Sequence, residues 1–324
     1  MKTTEFDFDF DAELMPHDPV QLRGRSRESG KMLVLDRSTE ETEHTDFSKI
    51  CDFFQPGDLL VLNDSYMLPN TLVFAHSGVK VPLTIYGYEP NNAAVVGIAS
   101  QGQLQLESLM ILESVDDPSL ICEIPIKLLT PTLEKAGWRT GKTVPFKTGY
   151  RKAARNEYSS VYASTPGSLE IPSAALHFSK DILRQAVEKG LEIAYITLHV
   201  GATEVLAVRH ISEEEIEKHE VRSEGRRVVA VGTTVMRTLE TLATDKPRPD
   251  KLLAQKGWSD LYIYPGFEFR AVDVLLTNLH RPRSSHIVLT AAFAGTKFVM
   301  RSYAEIAERG DYEFGMFGDS MLIV

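Results

Sequence analysis

The feature that most constrains the fold is the alternation of strand-length apolar runs with helical patterns in the second half of the chain. LEIAYITLHV (191–200), RRVVAVG (226–232) and VDVLLTN (272–278) have the length and apolar content of buried strands. The second run leads into the helical pattern VMRTLETLA (235–243), and the third leads through a Pro-containing loop into SSHIVLTAAFAG (284–295). Strands that alternate with helices are typical of α/β proteins. We therefore predict an α/β main domain built on a largely parallel sheet.

A different pattern of apolar and turn residues interrupts this alternation in the middle of the chain. Short apolar runs such as VKVPLTIYGY (79–88) and AAVVGIAS (93–100) recur there, with Gly, Pro, Asn or Asp between them and little helical periodicity. We expect residues 71–150 to form an inserted all-β domain. Residues 1–70 and 151–324 then join to form the α/β catalytic domain.

The cysteines and the apolar runs bear on the compartment. Cys51 and Cys122 are far apart in a chain of 324 residues and have no CxxC spacing. A disulfide framework or a zinc cluster is therefore not expected, and a reducing compartment suits the chain. No basic-then-apolar segment opens the sequence, and no apolar run approaches the roughly 20 residues of a membrane helix. We expect a soluble, cytoplasmic monomer.

The charge balance gives no general attraction for nucleic acid. Lys and Arg number 35 against 45 Asp and Glu, a formal net charge of −10, and an acidic protein does not attract a polyanion through its mean field. Arg151, Lys152 and Arg155 form one basic cluster, and Arg281 and Arg283 flank a loop. Each is more simply interpreted as a solvated surface than as a set of phosphate contacts.

Polar side chains follow four of the predicted strands. In an open α/β sheet, ligands bind beyond the carboxyl ends of the strands. The sequence therefore predicts a single cleft that is lined by Asn63, Asp64, His199, Thr233, Thr234, Asn278 and His280.

The GTT segment at Gly232, Thr233 and Thr234 has a specific interpretation. A glycine turn into a helix leaves backbone N–H groups pointing outward, with two hydroxyls beside them. Such a helix start suits a carboxylate or a phosphate. The alternative is that one threonine only caps the helix, which requires no ligand.

Three histidines lie near predicted element junctions: His177, His199 and His280. Imidazole titrates near neutral pH, so each is a candidate general acid or base. A structural role is the alternative for each of them. No paired ligand spacing such as HxxxH is present, so no metal site is expected.

The common nucleotide and hydrolase signatures are absent. No GxGxxG follows a strand, and neither GxxxxGK[ST] nor GxSxG occurs. The residues alone therefore support only an α/β enzyme with a polar cleft and an inserted β module.

An ordered set of segments, however, resembles a known family, the S-adenosylmethionine:tRNA ribosyltransferase-isomerases. These segments span nearly the whole chain, and those of the second half are very specific. They are GDLLVLND (57–64), VYASTPGSLEIPSAALHFS (161–179), LEIAYITLHVG (191–201), VVAVGTTVMRTLE (228–240), SDLYIYPGFEFRAVDVLLTNLHRPRSSH (259–286), AAFAG (291–295) and FGDSMLI (317–323).

The resemblance implies an α/β domain with an inserted β-barrel-like domain. It also implies the queuosine-pathway reaction, in which the ribosyl part of S-adenosylmethionine is transferred and isomerised onto 7-aminomethyl-7-deazaguanine in tRNA, with release of adenine and methionine. S-adenosylmethionine is then a co-substrate, and no metal is required. The reaction needs a base for the C5′ hydrogen, an acid for departing adenine and a cradle for the methionine carboxylate.

The chain departs from the family pattern at several positions. Tyr66 and Asn70 stand where the family has arginines, and the uncharged residues 97–105 replace a basic stretch. Glu204 is a carboxylate where the family has none, and a segment of the family pattern is missing after Glu224. Lost basic residues weaken tRNA binding in particular, because phosphate contacts carry much of that affinity.

Three functions follow as hypotheses: the family reaction on tRNA, a divergent reaction of S-adenosylmethionine or a related nucleoside with a small-molecule acceptor, and a non-catalytic binding protein. For the reaction we predict catalytic roles for His177 and His199, with Glu204 as an accessory group. We predict that Gly232, Thr233 and Thr234 bind the methionine carboxylate of S-adenosylmethionine, with Asn278 and His280 completing its site.

Overall fold

A computed structural model of the chain describes residues 2–67, 71–76, 79–88, 94–100, 103–109, 121–125, 143–148, 158–168, 170–200, 212–216, 226–243, 256–259 and 261–324. In chain order, its strands and α-helices are β1 (Lys31–Asp36), β2 (Glu41–Asp46), β3 (Leu59–Asn63), β4 (Ser65–Met67), β5 (Thr71–His76), β6 (Val79–Tyr88), β7 (Ala94–Ser100), β8 (Gln103–Leu109), β9 (Ile121–Pro125), β10 (Thr143–Thr148), β11 (Thr165–Ser168), α1 (Lys180–Glu188), β12 (Glu192–His199), β13 (Ser212–Ile216), β14 (Val228–Val231), α2 (Thr233–Ala243), β15 (Lys256–Ser259), β16 (Val274–Asn278), α3 (Ser285–Ala294), α4 (Thr296–Arg309) and β17 (Ser320–Ile323).

The largest sheet has nine strands in the order β15-β13-β12-β3-β14-β16-β17-β1-β2. Its four central strands, β12, β3, β14 and β16, are parallel to one another. Their carboxyl ends therefore lie at one edge of the sheet, where α/β proteins bind ligands.

The sheet is mixed rather than largely parallel, which corrects the prediction from sequence. Four of its eight neighbouring pairs are antiparallel: β1 with β2, β12 with β13, β13 with β15, and β16 with β17. The β1–β2 pair shows the physical reason, because only a short turn joins the two strands and such a connection returns the chain antiparallel. The α/β character itself is confirmed.

Helices cover both faces of this sheet, as the alternation along β3 shows. Leu59 and Val61 pack into the apolar cluster that contains residues of α2, α3 and α4. Leu60 and Leu62 pack into the cluster that contains residues of α1. Successive side chains of a strand point to opposite faces, so a strand that is buried along its whole length serves two cores.

Residues between 71 and 148 supply a second sheet of six antiparallel strands, in the order β8-β7-β6-β5-β10-β9. β4 and β11 form a parallel pair of their own. The antiparallel sheet agrees with the strands that the short apolar runs of this part of the sequence predict. A separate, barrel-like domain bounded at residues 71 and 150 stays a prediction.

A buried carboxylate fixes α2 against the residues that precede β16. Glu240, in the C-terminal half of α2, is 1% exposed and accepts hydrogen bonds from the backbone N–H groups of Arg270, Ala271 and Val272 at 2.9, 3.0 and 2.9 Å. Burial raises the pKa of this carboxyl, and the three hydrogen bonds lower it, with a net rise. The contact sets the position of α2 relative to β16, and both elements reach the carboxyl edge of the sheet.

Candidate active site

A cavity of about 280 Å³ lies at the carboxyl edge of the central strands. This volume is close to the lower end of the roughly 300–1,000 Å³ that small-molecule clefts occupy. The residues that line it are Met15, Pro16, His17, Glu170, Ile171, Pro172, Ser173, Ala174, Val200, Val231, Gly232, Thr233, Thr234, Thr277, Asn278, His280, Arg281, Ser284, His286, Gly315, Met316 and Phe317.

The start of α2 forms one wall of this cavity. Gly232 has a φ of +96°, a conformation that L side chains rarely adopt, and it turns the chain from β14 into the helix. The N–H of Met236 donates to the carbonyl of Gly232 at 3.2 Å, so the amides of Thr233 and Thr234 precede the first intrahelical bond. The wall therefore combines backbone donors, two hydroxyls and the positive end of a helix dipole.

The side chain of Asn278, the last residue of β16, makes polar contacts with other segments of the chain at the cavity. Its Oδ1 accepts a hydrogen bond from the Ser173 hydroxyl at 3.2 Å. Its Nδ2 donates to the carbonyl oxygen of Met316 at 3.4 Å and lies 3.4 Å from Nε2 of His177. Among the described residues, both amide hydrogens thus face protein atoms, and one lone pair on Oδ1 remains for a further donor.

Two stacked imidazoles form another part of the cavity wall. The rings of His280 and His286 have centroids 4.9 Å apart and planes 23° apart. Nε2 of His280 lies 2.8 Å from the Thr277 hydroxyl, and the backbone N–H of His280 donates to the Tyr303 hydroxyl at 2.9 Å. Burial and the neighbouring His286 lower the pKa of His280 well below its usual range, so its imidazole is neutral at pH 7.

His177 does not line the cavity. It ends the short 3-10 helix Ser173–His177, is 5% exposed, and stacks on Phe47 with a centroid separation of 5.0 Å. Burial, followed by the nearby charge of Arg27, lowers the pKa of His177 to about 4. Its Nε2 lies 3.4 Å from Nδ2 of Asn278, which does line the cavity.

His199 and Glu204 were the other predicted catalytic residues. His199 is the last residue of β12, as the sequence predicted, and is half-buried, but the cavity is lined by its neighbour Val200. Glu204 lies outside the described residues. Their catalytic roles stay predictions.

The predicted cleft does not include the end of β3. The side chain of Asn63 is used by the backbone: its Nδ2 donates to the carbonyl of Leu198 at 3.2 Å, and its Oδ1 accepts from the N–H groups of Leu198 and Ser65 at 3.0 and 3.1 Å. Asp64 accepts from the Thr197 hydroxyl at 2.7 Å. The prediction that both residues line the cleft is therefore wrong, because they connect β3 to its neighbour β12.

Sequence reasoning missed His286 and the residues from the two ends of the chain. His286 lies in the first turn of α3, after the N-cap Ser284, so its position at a helix start near the carboxyl edge was a usable signal. Pro16 and Phe317 are each far in sequence from the central strands, and no local pattern indicates that they reach the cavity.

The residues that bear on tRNA binding are only partly described. Tyr66 is 5% exposed, so it is a packing residue rather than a surface group. Arg281 is exposed at the cavity, and Arg283 forms an ion pair with Asp7. Asn70 and the basic cluster at residues 151–155 lie outside the described residues.

Within the described part of the chain, no group of three or more His, Cys, Asp or Glu side chains is placed to hold a metal ion. None of the helices described above is long and apolar enough to cross a membrane.

Comparisons with known proteins agree on one family. Residues 3–323 match the family described as queuosine biosynthesis protein. The chain is 35% identical to an S-adenosylmethionine:tRNA ribosyltransferase-isomerase of Thermotoga petrophila and 34% identical to one of Staphylococcus epidermidis, with 100% of each chain covered in both cases. The crystal structure of an S-adenosylmethionine tRNA ribosyltransferase from Thermotoga maritima is 31% identical, with a TM-score of 0.58 over 99% of this chain and 100% of that one. The chain therefore belongs to the queuosine biosynthesis protein family.

Proposed function

We propose that this chain is an S-adenosylmethionine:tRNA ribosyltransferase-isomerase. It transfers the ribosyl part of S-adenosylmethionine to 7-aminomethyl-7-deazaguanine in tRNA and isomerises it, which gives epoxyqueuosine, adenine and methionine. The proposal rests on the match of residues 3–323 to the queuosine biosynthesis protein family. The similar relatives are named S-adenosylmethionine:tRNA ribosyltransferase-isomerase, and the similarity covers their full length. No observation favours a small-molecule acceptor over tRNA.

S-adenosylmethionine binds in the cavity, with its methionine carboxylate at the start of α2. The support for this placement is the combination of the Thr233 and Thr234 amides, their hydroxyls and the positive helix end. The lone pair on Oδ1 of Asn278 can accept a hydrogen bond from an ammonium or hydroxyl group of the same ligand.

The proton transfers belong to the imidazoles that reach the cavity. The reaction needs a base for the C5′ hydrogen, which the adjacent sulfonium acidifies. The sequence suggested His177 and His199 for this role, but neither lines the cavity, whereas His280 and His286 both do. We therefore assign the acid–base work to the His280–His286 pair.

The acceptor tRNA approaches a chain that is acidic overall. With a net charge of −10, the protein depends on local cations rather than on its mean field for such binding. Arg281 is exposed at the cavity and is a suitable contact for a nucleotide phosphate. A cytoplasmic location, a monomeric state and an accessory role for Glu204 stay predictions alongside this proposal.

The test is incubation with S-adenosylmethionine and tRNA that carries 7-aminomethyl-7-deazaguanine, with tRNA that carries guanine as the matched control. We expect adenine and methionine to be released with the tRNA that carries 7-aminomethyl-7-deazaguanine and not with the guanine control. Mass spectrometry should detect epoxyqueuosine in a nuclease digest of the first tRNA. Adenine release at the same rate without tRNA would indicate that the ribosyl group passes to water or to a small-molecule acceptor instead. Failure to bind S-adenosylmethionine in calorimetry would indicate a non-catalytic protein.

A further inference from the structure

The orientation of the Asn278 amide follows from the groups around it. The carbonyl oxygen of Met316 can only accept a hydrogen bond, so the amide group that faces it at 3.4 Å must be the NH₂. The oxygen of the amide then faces the hydroxyl of Ser173 at 3.2 Å, which can donate. A flipped amide would bring its oxygen against the carbonyl oxygen of Met316, which is unfavourable.

This orientation decides the state of His177. Nε2 of His177 lies 3.4 Å from the same NH₂ group, so it must present a lone pair rather than a proton. The imidazole is therefore neutral and carries its hydrogen on Nδ1. A protonated ring would point an N–H at an NH₂, and the two donors would repel each other.

The charged groups around His177 agree with a neutral ring. The guanidinium of Arg27 donates to the carbonyl of Leu176 at 3.1 Å and disfavours a second positive charge beside it. On the other side, a Cβ atom at Gly30 would lie 3.2 Å from Oδ1 of Asp319 and 3.5 Å from Nδ1 of His177, so the carboxyl and the ring flank the same glycine.

That carboxyl is already engaged by the backbone. Asp319 accepts hydrogen bonds from the N–H groups of Lys31 at 2.7 Å and Glu313 at 2.8 Å, and burial raises its pKa to about 6. It is therefore partly neutralised near pH 6 and already satisfied by two donors. Burial and, after it, the charge of Arg27 therefore favour the neutral ring that the contact with Asn278 requires.

We propose that His177 is a positioning residue for the ribosyl-transfer reaction: together with the carbonyl of Met316, it holds the NH₂ of Asn278 in place, so that Oδ1 is the atom offered to the substrate. The proposal rests on the function given above, because the substrate is S-adenosylmethionine. It replaces the acid–base role that the sequence suggested for His177. Asn278 then selects a donor on the ligand, an ammonium or a hydroxyl group.

Two variants separate positioning from acid–base catalysis. His177→Gln keeps an acceptor near the place of Nε2, whereas His177→Phe keeps a ring that can stack on Phe47 but has no acceptor. We expect the KM for S-adenosylmethionine to rise about tenfold in the Phe variant and to stay within about threefold in the Gln variant, the scale of one hydrogen bond. Both variants should keep the shape of the native pH profile. A loss of about 10²-fold in kcat in both variants, with one limb of the pH profile removed, would overturn the proposal.

A second measurement does not depend on activity or on the variants. In the native protein, ¹⁵N spectra of the histidine rings should show His177 as a neutral imidazole with its proton on Nδ1 at pH 7. A proton on Nε2, or a charged ring at that pH, would contradict the inference. If the native protein released no adenine, the proposed function would fail, and these spectra would still decide the state of His177.

Discussion

The histidines on the two sides of Asn278 differ in their access to the cavity. On the cavity side, His280 and His286 stack against each other in the wall that a ligand would touch. On the inner side, His177 stacks on Phe47, lies beside Arg27 and is 5% exposed. The two settings share one structural element, because the Asn278 amide contacts His177 and ends the strand that leads to His280.

Access to the cavity, rather than residue type, separates the two proposed roles. The pKa of both His177 and His280 is lowered mainly by burial, so both rings are neutral at pH 7. Only the ring that reaches the cavity can exchange a proton with a ligand. The inner ring can act only through the orientation of the group that it touches.

The largest effect is expected from the cavity imidazoles. His280→Ala and His286→Ala should each lower adenine release by about 10²-fold or more, the scale of general acid–base loss, while calorimetry still detects S-adenosylmethionine binding. His199→Gln is the comparison variant, because His199 ends β12 at the same edge of the sheet without lining the cavity. If the His199 variant loses as much activity as the other two, the assignment returns to the histidine that the sequence suggested.

A smaller effect concerns the stability of the fold at acidic pH. The pKa of His177 is lowered from 6.5 to about 4 in the folded state. Its contribution to stability is therefore complete above pH 6.5 and is lost as the pH falls towards 4. Between pH 7 and pH 5, the native protein should lose about 2 kcal/mol more of its unfolding free energy than His177→Gln does. Urea titrations at the two pH values measure this difference, and equal losses in both proteins would show that the ring is not held neutral.

A tenfold effect is expected at the other cavity wall. Replacing both Thr233 and Thr234 with valine removes two hydroxyls from the start of α2 and leaves its backbone amides in place. Affinity for S-adenosylmethionine should fall by about tenfold, the scale of a hydrogen bond to a charged group. Calorimetry and a thermal melt on the same sample test this. An unchanged affinity in a folded variant would show that the methionine carboxylate does not bind at the start of α2.

The smallest effect is expected from a histidine away from the cavity. His44 lies 2.7 Å from the Glu305 carboxylate and 2.8 Å from the Tyr312 hydroxyl. His44→Gln should leave adenine release unchanged and reduce the unfolding free energy by about 1 kcal/mol or less, because part-exposed pairs contribute little. A change in activity here would mean that histidine replacement disturbs the cavity from a distance.

Local patterns predicted the part of the site that comes from strand ends and helix starts. Gly232, Thr233 and Asn278 were expected at one edge of the sheet because parallel strands bring their carboxyl ends together, and all three line the cavity. The same rule failed for Asn63, whose side chain satisfies the backbone of β12 rather than facing the cavity. Position at a strand end indicates the edge but not the direction of the side chain.

The remaining differences depend on contacts that are distant in sequence. The burial of His177 results from Phe47 and Arg27, which lie more than a hundred residues earlier in the chain. Met15 and Met316 reach the cavity from the two ends of the chain. No periodicity in the sequence reports such contacts, so the fold class was more predictable than the side of the site on which each histidine lies.

The buried carboxylate of Glu240 in α2 has a thermodynamic consequence for ligand binding. Because this carboxylate accepts hydrogen bonds from the three amides of residues 270–272, we expect the spacing of α2 and β16 to be set before the proposed ligand binds. The residues around Thr233 and Asn278 should then need little ordering on binding, so that association carries a small conformational-entropy cost. Hydrogen exchange at the amides of residues 270–272 should be slow to the same degree with and without S-adenosylmethionine.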